Sequence, residues 1–141
     1  MIILDTNVVS EPLRPNPDPT VLAWLDRQQP ETLYLTAVNM AELLAGVEVL
    51  PAGKRRANLE VAIVGQVLSL FDGRILPFDL LAARAFARLN ATAQATGQTI
   101  GFADCAIAAI ASAHGFAVAT RNVRDFSATG VELINPWTTA A

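Results

Sequence analysis

Charged and disulfide-forming residues are scarce in this chain. Only 16% of its 141 residues are charged, the net charge is -3, and Lys54, Cys105 and His114 are the single residues of their types. A lone cysteine excludes an intramolecular disulfide and fits a reducing compartment, so Cys105 is expected to be a buried apolar thiol. The acidic balance argues against a general nucleic-acid coating protein, because no overall positive field attracts a polyanion.

Long hydrophobic runs are also lacking. No stretch approaches the ~20 apolar residues of a membrane span, and the chain opens on a short strand pattern without a basic leader. We therefore expect a cytoplasmic protein with no membrane partner. Because 52% of the residues are apolar, the chain can bury one substantial core, and we expect residues 1–141 to form a single domain.

Short apolar segments with a strand pattern alternate with segments whose apolar residues recur at helical spacing. The predicted strands are residues 1–4, 33–36, 74–76, 116–120 and 131–134. The predicted helices are residues 21–25, 40–48, 55–70, 80–96 and 102–114, with N-caps at Asn39 and Asp79, glycines 97 and 115 at two C-terminal ends, and an apolar stripe from Leu81 to Ala93. The prolines between residues 12 and 19 favour a surface loop. This alternation predicts an α/β fold, a parallel sheet flanked by helices on both faces.

Three acidic residues, Asp5, Glu42 and Asp104, stand in otherwise apolar segments. Asp5 follows the first predicted strand, and Glu42 and Asp104 are expected in the first turns of two helices. In open parallel sheets the ligand site lies beyond the carboxyl ends of the strands, where helices begin. We therefore expect the three acids to converge at this edge, together with Asn122 and Asp125 from the turn after the fourth strand.

Each acid also has a purely structural explanation. Asp5 is suited to shaping a turn or capping a short helix, and Asp104 in a first helical turn is favourable for the helix dipole. Glu42 stands three residues after Asn39, which is the capping-box spacing. The combination favours a functional site, because carboxylates in apolar segments need partners and the chain offers few cations.

A hard divalent cation is the expected partner of clustered carboxylates without histidine or cysteine ligands, and such a donor set favours Mg²⁺ or Mn²⁺ over Zn²⁺. The ion would activate water near neutral pH and offset charge on a phosphate that is being cleaved. The residues therefore predict phosphodiester hydrolysis. A metal-independent ribonuclease usually employs histidine pairs, whereas His114, at a helix C-terminus, is expected to be structural.

The segments around these acids resemble PIN-domain endoribonucleases, specifically the VapC-type toxins of bacterial toxin–antitoxin pairs and, within those, the FitB subgroup. The similarity runs over nearly the whole chain. Its motifs are ILDTNVVSEPLRP, LTAVNMAELLAGV around Glu42, GRILPFD, FADCAIAAIASAHG around Asp104, VATRNVRDF and the closing NPW. Each motif is weak alone, but their common order is specific.

The resemblance implies a Mg²⁺- or Mn²⁺-dependent endoribonuclease. It places the principal metal ligands at Asp5 and Asp104 and adds Glu42 as a further acid of the site. The fourth position of the family pattern falls on Asn122, whose amide keeps an oxygen donor but has no charge, and Asp125 is the residue that would compensate.

The resemblance also implies partners. These are an RNA substrate, a second copy of the chain in a homodimer, and a cognate antitoxin that blocks the site and binds operator DNA. We expect the hydroxyl of Thr6 to orient the site. The run Lys54-Arg55-Arg56 is interpreted as a solvated helix start in preference to an RNA or partner contact. Further RNA-binding candidates, which the sequence does not rank, are Arg14, Arg84, Arg88 and Arg121.

Two alternative functions remain open. Asp5 as the phospho-acceptor of a phosphatase or receiver domain is disfavoured, because position 7 is Asn7 where the phosphatase pattern has aspartate, and Lys54 comes too early in the chain. The non-enzymatic alternative is an inactive PIN-like module that binds RNA or a partner, with Asn122 marking decay of the site.

Overall fold

The sheet has five parallel strands with helices on both faces, which confirms the predicted fold class. The computed structural model describes residues 1–138. The strands are β1 (Ile2–Leu4), β2 (Leu33–Thr36), β3 (Ile75–Leu76), β4 (Ala117–Ala119) and β5 (Leu133–Ile134), in the order β3-β2-β1-β4-β5. The predicted domain, 1–141, extends past the described residues, so its bounds stay a prediction.

Eight α-helical segments connect the strands within residues 1–138. They are α1 (Thr6–Ser10), α2 (Pro19–Asp26), α3 (Ala37–Glu48), α4 (Lys54–Glu60), α5 (Leu68–Leu70), α6 (Leu80–Ala95), α7 (Phe102–His114) and α8 (Val123–Phe126). A π-helical segment, Val61–Val67, joins α4 to α5, so the helix predicted over residues 55–70 is one continuous stretch. Short 3-10 turns lie at Glu11–Leu13, Pro30–Thr32 and Ser127–Thr129.

The predicted helix ends are confirmed at Asp79, Gly97 and Gly115. Asp79 Oδ1 accepts a 3.0 Å hydrogen bond from Ala82 N at the start of α6. Gly115 ends α7 with φ of 70°, a left-handed conformation that glycine adopts at low cost. No helix of residues 1–138 is long and apolar enough to cross a membrane.

Three predictions about the helices were wrong. The N-cap of α3 is Thr36, three residues before the predicted Asn39, so the helix starts earlier. The proline-rich segment is helical at both ends, because Pro12 lies in a 3-10 turn and Pro19 begins α2, where its missing N–H costs nothing. Leu81 is 64% exposed and does not belong to the buried stripe of α6.

Alternation along each strand divides the core into two layers. Ile3 and Val118 pack with the α6–α7 side, whereas Leu4 and Leu35 pack on the opposite face with α2, α3 and the π-helical segment. The central strands β1, β2 and β4 are therefore covered on both faces, which fixes their register and explains their nearly continuous apolar composition.

The order of the strands places a switch point beside β1. The chain proceeds from β1 to β2 and β3 in one direction and then crosses to β4 and β5 on the other side. Leu4 pairs with Ala119 at the carboxyl ends of β1 and β4, so Asp5 and Thr120 emerge side by side there. Open α/β sheets bind ligands at such a crevice.

Candidate acidic site at the sheet switch point

Asp5 is the most buried acid of the site. Its backbone N–H donates a 2.8 Å hydrogen bond to Ala119 O and thus extends the β1–β4 pairing. Asp5 Oδ1 accepts from Thr6 N at 2.8 Å, which caps α1, and Oδ2 accepts from the hydroxyl of Thr120 at 2.7 Å. The side chain is 4% exposed. The capping role predicted as an alternative is therefore present, and it uses only one of the two oxygens.

Burial raises the pKa of Asp5 above its ordinary value. The hydrogen bonds from Thr120 and from the Thr6 backbone oppose this rise, because they stabilise the ionised form. Repulsion from the charges of Glu42 and Asp125 adds to the rise.

Thr120 joins the loops that follow β1 and β4. Its hydroxyl donates to Asp5 and accepts a 3.0 Å hydrogen bond from the backbone of Asn122. Asn7 Oδ1 accepts from Arg121 N at 3.4 Å, a second link between the same loops. The positioning roles of Thr120 and Asn7 were missed from the sequence, although Thr120 ends one predicted strand and Asn7 lies three residues beyond another, which was the available signal.

Glu42 is exposed and lies in the second turn of α3, so its predicted place in the first turn was wrong. The hydroxyl of Thr6 donates a 2.7 Å hydrogen bond to Glu42 Oε1 and accepts one of 3.1 Å from Asn39 Nδ2. Thr6 thus makes the contact expected of it, and it fixes the glutamate against α1.

The capping-box explanation for Glu42 is also wrong. The box is formed by Thr36 and Asn39: Asn39 N donates to Thr36 Oγ1 at 3.0 Å, and Thr36 N donates to Asn39 Oδ1 at 2.9 Å. Both side chains are fully buried. The box is complete without a glutamate, so Glu42 does not cap the helix.

Asp104 lies in the first turn of α7, as predicted, and its side chain is half-buried. Burial raises its pKa to about 6, and repulsion from Asp5, Asp125 and Glu42 contributes to the rise. Phe102, which is apolar and lies two residues before Asp104, is 68% exposed. Burial and, as a smaller contribution, the like charges of the neighbouring acids therefore favour the protonated form of Asp104.

Asn122 and Asp125 border the site from α8. Asn122 is the exposed residue before the helix, and its side chain makes no capping hydrogen bond. Asp125 is exposed in the first turn, and its charge raises the pKa of both Asp5 and Asp104. The part of the site next to α8 thus has one charged carboxylate, that of Asp125, and one neutral amide, that of Asn122.

Among residues 1–138, like charge acts between the four carboxylates and none of them forms an ion pair. The ion pairs of residues 1–138 are Arg14–Glu11 and Arg56–Glu48, and neither includes an acid of the site. A buried carboxylate needs a partner to offset the cost of its charge, and this requirement applies in full to Asp5, in part to the half-buried Asp104 and not to the exposed Glu42. Within the same residues no three acidic, histidine or cysteine side chains are grouped closely enough to hold a metal ion.

The chemistry of the donors fits a hard divalent cation. Carboxylate, hydroxyl and amide oxygens line the site, while the one histidine packs against Phe116 at the far end of α7 and Cys105 is buried in the core. Mg²⁺ binds through one or two carboxylates and keeps several waters, so it does not require three protein carboxylates. The pair formed by Asp5 and Asp104 fits this requirement.

Comparison with known proteins adds a family to this geometry. A family model described as the PIN domain matches residues 2–132. The chain is 53% identical over 137 residues to VapC ribonuclease Y4jK of Sinorhizobium fredii, covering 97% of this chain and 98% of that protein. It is 47% identical over 137 residues to Toxin FitB of Neisseria gonorrhoeae, covering 97% and 99%. The solved structure of FitAB bound to the IR36 DNA fragment is similar, with a TM-score of 0.95 and 45% identity over 100% of this chain and 99% of that one.

Proposed function

This chain belongs to the PIN-domain family, and we propose that it is a Mg²⁺- or Mn²⁺-dependent endoribonuclease acting as the toxin of a toxin–antitoxin pair. One observation carries the proposal: among residues 1–138, four acids share the switch point of the sheet and none of them forms an ion pair, and burial together with their like charge raises the pKa of Asp104 to about 6. Retaining such repulsion destabilises a fold unless a ligand compensates it. The similarity to a VapC ribonuclease supports the same activity.

We assign Asp5 and Asp104 as the residues that would hold the ion, with Glu42, Asn122 and Asp125 completing the catalytic site. When bound, the ion would supply Lewis-acid chemistry that activates water and offsets the charge developing on the phosphate. Asp125 offers the charge that Asn122 lacks.

Fixed hydroxyls and amides determine where the carboxylates lie. Thr120 and the Thr6 backbone hold the two oxygens of Asp5, and the Thr6 side chain holds Glu42. Partners of this kind orient ligating carboxylates, and removing them typically costs about 10- to 100-fold in metal affinity or activity. The network therefore prepares the site before substrate arrives.

The partners of the proposed function come from its relatives. Toxin FitB is a relative over nearly its whole length, and FitAB has been solved with DNA. We infer that this chain likewise pairs with a DNA-binding antitoxin that occludes the acids, and that it forms a homodimer. Co-expression with the upstream reading frame, followed by purification and an operator-binding assay, tests the antitoxin.

The test of the activity is RNA cleavage by the purified chain in Mn²⁺, in Mg²⁺ and in a chelator. Cleavage that requires the ion and is lost in Asp5→Asn supports the proposal. The alternative, an inactive PIN-like module, is favoured by the neutral Asn122. It predicts RNA or partner binding without cleavage and no thermal stabilisation by Mn²⁺, and that pair of results would refute the nuclease.

A further inference from the structure

A large groove leads away from the acidic site along α3 and α4. It has a volume of ≈ 910 Å³, and Thr6 and Glu42 of the site form part of its wall. Arg14, Lys54 and Arg55 line the same groove. This volume lies in the upper part of the range of about 300–1,000 Å³ that is typical of ligand sites, so it suits an extended ligand. We call this cavity the basic groove.

The cations of the basic groove differ in how they are engaged. Lys54 and Arg55 are exposed, and neither side chain forms a hydrogen bond or an ion pair with any residue of the range 1–138. Arg56, the next residue, pairs with Glu48 at 3.0 Å and also donates to Leu50 O. The three-residue basic run thus has two free charges that line the groove and one that stabilises the fold.

Arg14 is held at the groove by a buried acid. Glu11 is almost completely buried, and its two oxygens accept from Arg14 Nη1 at 3.3 Å and from Asp18 N at 2.9 Å. The carboxylate closes the proline-rich turn and fixes the guanidinium at its edge. Arg14 itself stays largely exposed and keeps further N–H donors for a ligand.

We propose that the basic groove holds the RNA strand next to the scissile phosphate, with Lys54 and Arg55 binding its backbone and Arg14 fixing its course. This inference rests on the proposed nuclease function. A strand that passes Thr6 and Glu42 enters the acidic site directly, so the groove and the site share one path. The apolar floor, which includes Leu43, Val47 and Ile63, suits the faces of unpaired bases and ribose.

RNA is favoured over an acidic protein segment because of the charge of the whole chain. At a net charge of -3, the protein repels a polyanion except where local cations are unpaired. Since the reaction needs a polyanion beside four carboxylates, the adjoining free cations are the natural means of holding it. An acidic protein segment is not cleaved at the acidic site, so it has no comparable reason to lie in a groove that ends at four carboxylates.

The experiment compares Lys54→Gln/Arg55→Gln with Arg56→Gln, a matched loss of charge from the same helical turn. The probe is a fluorescent single-stranded RNA oligonucleotide of mixed sequence, with Asp5→Asn present in all variants for the binding assay. We expect the double variant to weaken binding by about 10-fold or more and to lower the slope of log Kd against log salt by about 0.7 for each charge removed. Arg56→Gln should leave both quantities unchanged.

Cleavage with Asp5 intact gives an independent readout. The double variant should raise KM and leave kcat at saturating RNA near its original value, because the reacting groups are untouched. The charge-retaining variant Lys54→Arg/Arg55→Lys should restore binding and the salt slope. Thermal melting checks that each variant is folded.

Other outcomes would overturn the assignment. An RNA Kd and salt slope that do not change in the double variant would exclude the RNA path, and loss of antitoxin binding alone would give the groove to the protein partner. If the unmodified chain binds RNA through Lys54 and Arg55 but cleaves none in Mn²⁺, the groove is correct and the nuclease function fails. The two proposals are thus separable.

Discussion

The hydroxyl of Thr6 donates a 2.7 Å hydrogen bond to Glu42 Oε1 across 36 positions of the chain. The same oxygen accepts from Asn39 Nδ2, which is itself fixed to Thr36 in the capping box of α3. An exposed glutamate is thereby connected to a fully buried polar network. This connection orders a side chain that would otherwise rotate freely in water.

Thr6→Val should separate this ordering from folding. The variant keeps the backbone N–H that Asp5 accepts but releases Glu42 and the Asn39 amide. We expect RNA cleavage to fall about 10- to 100-fold, the range for partners that orient catalytic ligands, with a small loss of stability. Initial rates and melting temperatures measure the two effects. Thr92→Val, which removes an exposed hydroxyl bonded within α6, is the control and should leave cleavage unchanged.

Asp5→Asn should abolish metal-dependent cleavage while the fold persists. Asparagine caps a helix about as well as aspartate, so α1 remains capped, and the buried charge is removed. We expect a loss of activity greater than about 100-fold and no thermal stabilisation by Mn²⁺. Asp18→Asn is the matched control, since Asp18 caps α2 through Thr20 N outside the acidic site. Cleavage that survives in Asp5→Asn would contradict the assignment of Asp5.

Thr120→Val should destabilise the protein through Asp5. The substitution removes the only side-chain donor to Asp5 Oδ2 within residues 1–138 and leaves a buried carboxylate oxygen unpaired. The expected cost is about 1–3 kcal/mol in the free energy of unfolding, measured by urea denaturation in a chelator. Thr120→Ser keeps the hydroxyl and should recover most of this loss. Equal stability of the serine and valine variants would show that the hydrogen bond contributes nothing.

Asp104 should make the metal-free protein less stable as pH rises. Its folded-state pKa of about 6 lies above the ordinary aspartate value of 3.8, so the folded state holds the proton more tightly than the unfolded state. Stability from this group is therefore present at acidic pH and is lost as pH rises between these two values. Asp104→Asn removes the dependence, so its melting temperature relative to the unmodified chain should increase from acidic to neutral pH.

Divalent ions should reverse this effect at neutral pH. Mn²⁺ should raise the melting temperature of the unmodified chain, because an ion that binds only the folded state stabilises it. Mn²⁺ should raise the melting temperature of Asp104→Asn by a smaller amount. A difference in melting temperature that is the same at all pH values would contradict the raised pKa, and equal stabilisation by Mn²⁺ would contradict the ligand role.

Much of the fold followed from local pattern. β2 was predicted at its observed bounds, and the helix of Asp104 was predicted from Phe102 to His114 with Gly115 after it, because its apolar spacing and its terminal glycine are local signals. The start of α3 was placed wrongly, since Thr36 and Asn39 are both good caps and only the complete capping box distinguishes them. The apolar segments around the three acids do not by themselves predict burial: Glu42 is exposed and Asp104 is half-buried, because burial depends on what packs above a residue.

The amino-acid sequence by itself determined the alternation of strands and helices, the positions of Asp5 and Asp104 at element ends and a donor set without histidine or cysteine, since periodicity and residue chemistry are local properties. Only the tertiary structure decided that the Thr6 hydroxyl holds Glu42 and that of Thr120 holds Asp5, and that Asn39 and not Glu42 completes the cap. It also decided that Lys54 and Arg55 line a groove shared with Thr6 and Glu42, whereas Arg56 pairs with Glu48. The physical reason is that hydrogen bonds and exposed charge depend on contacts between segments distant in the chain, which the strand order 3-2-1-4-5 creates and no local pattern encodes.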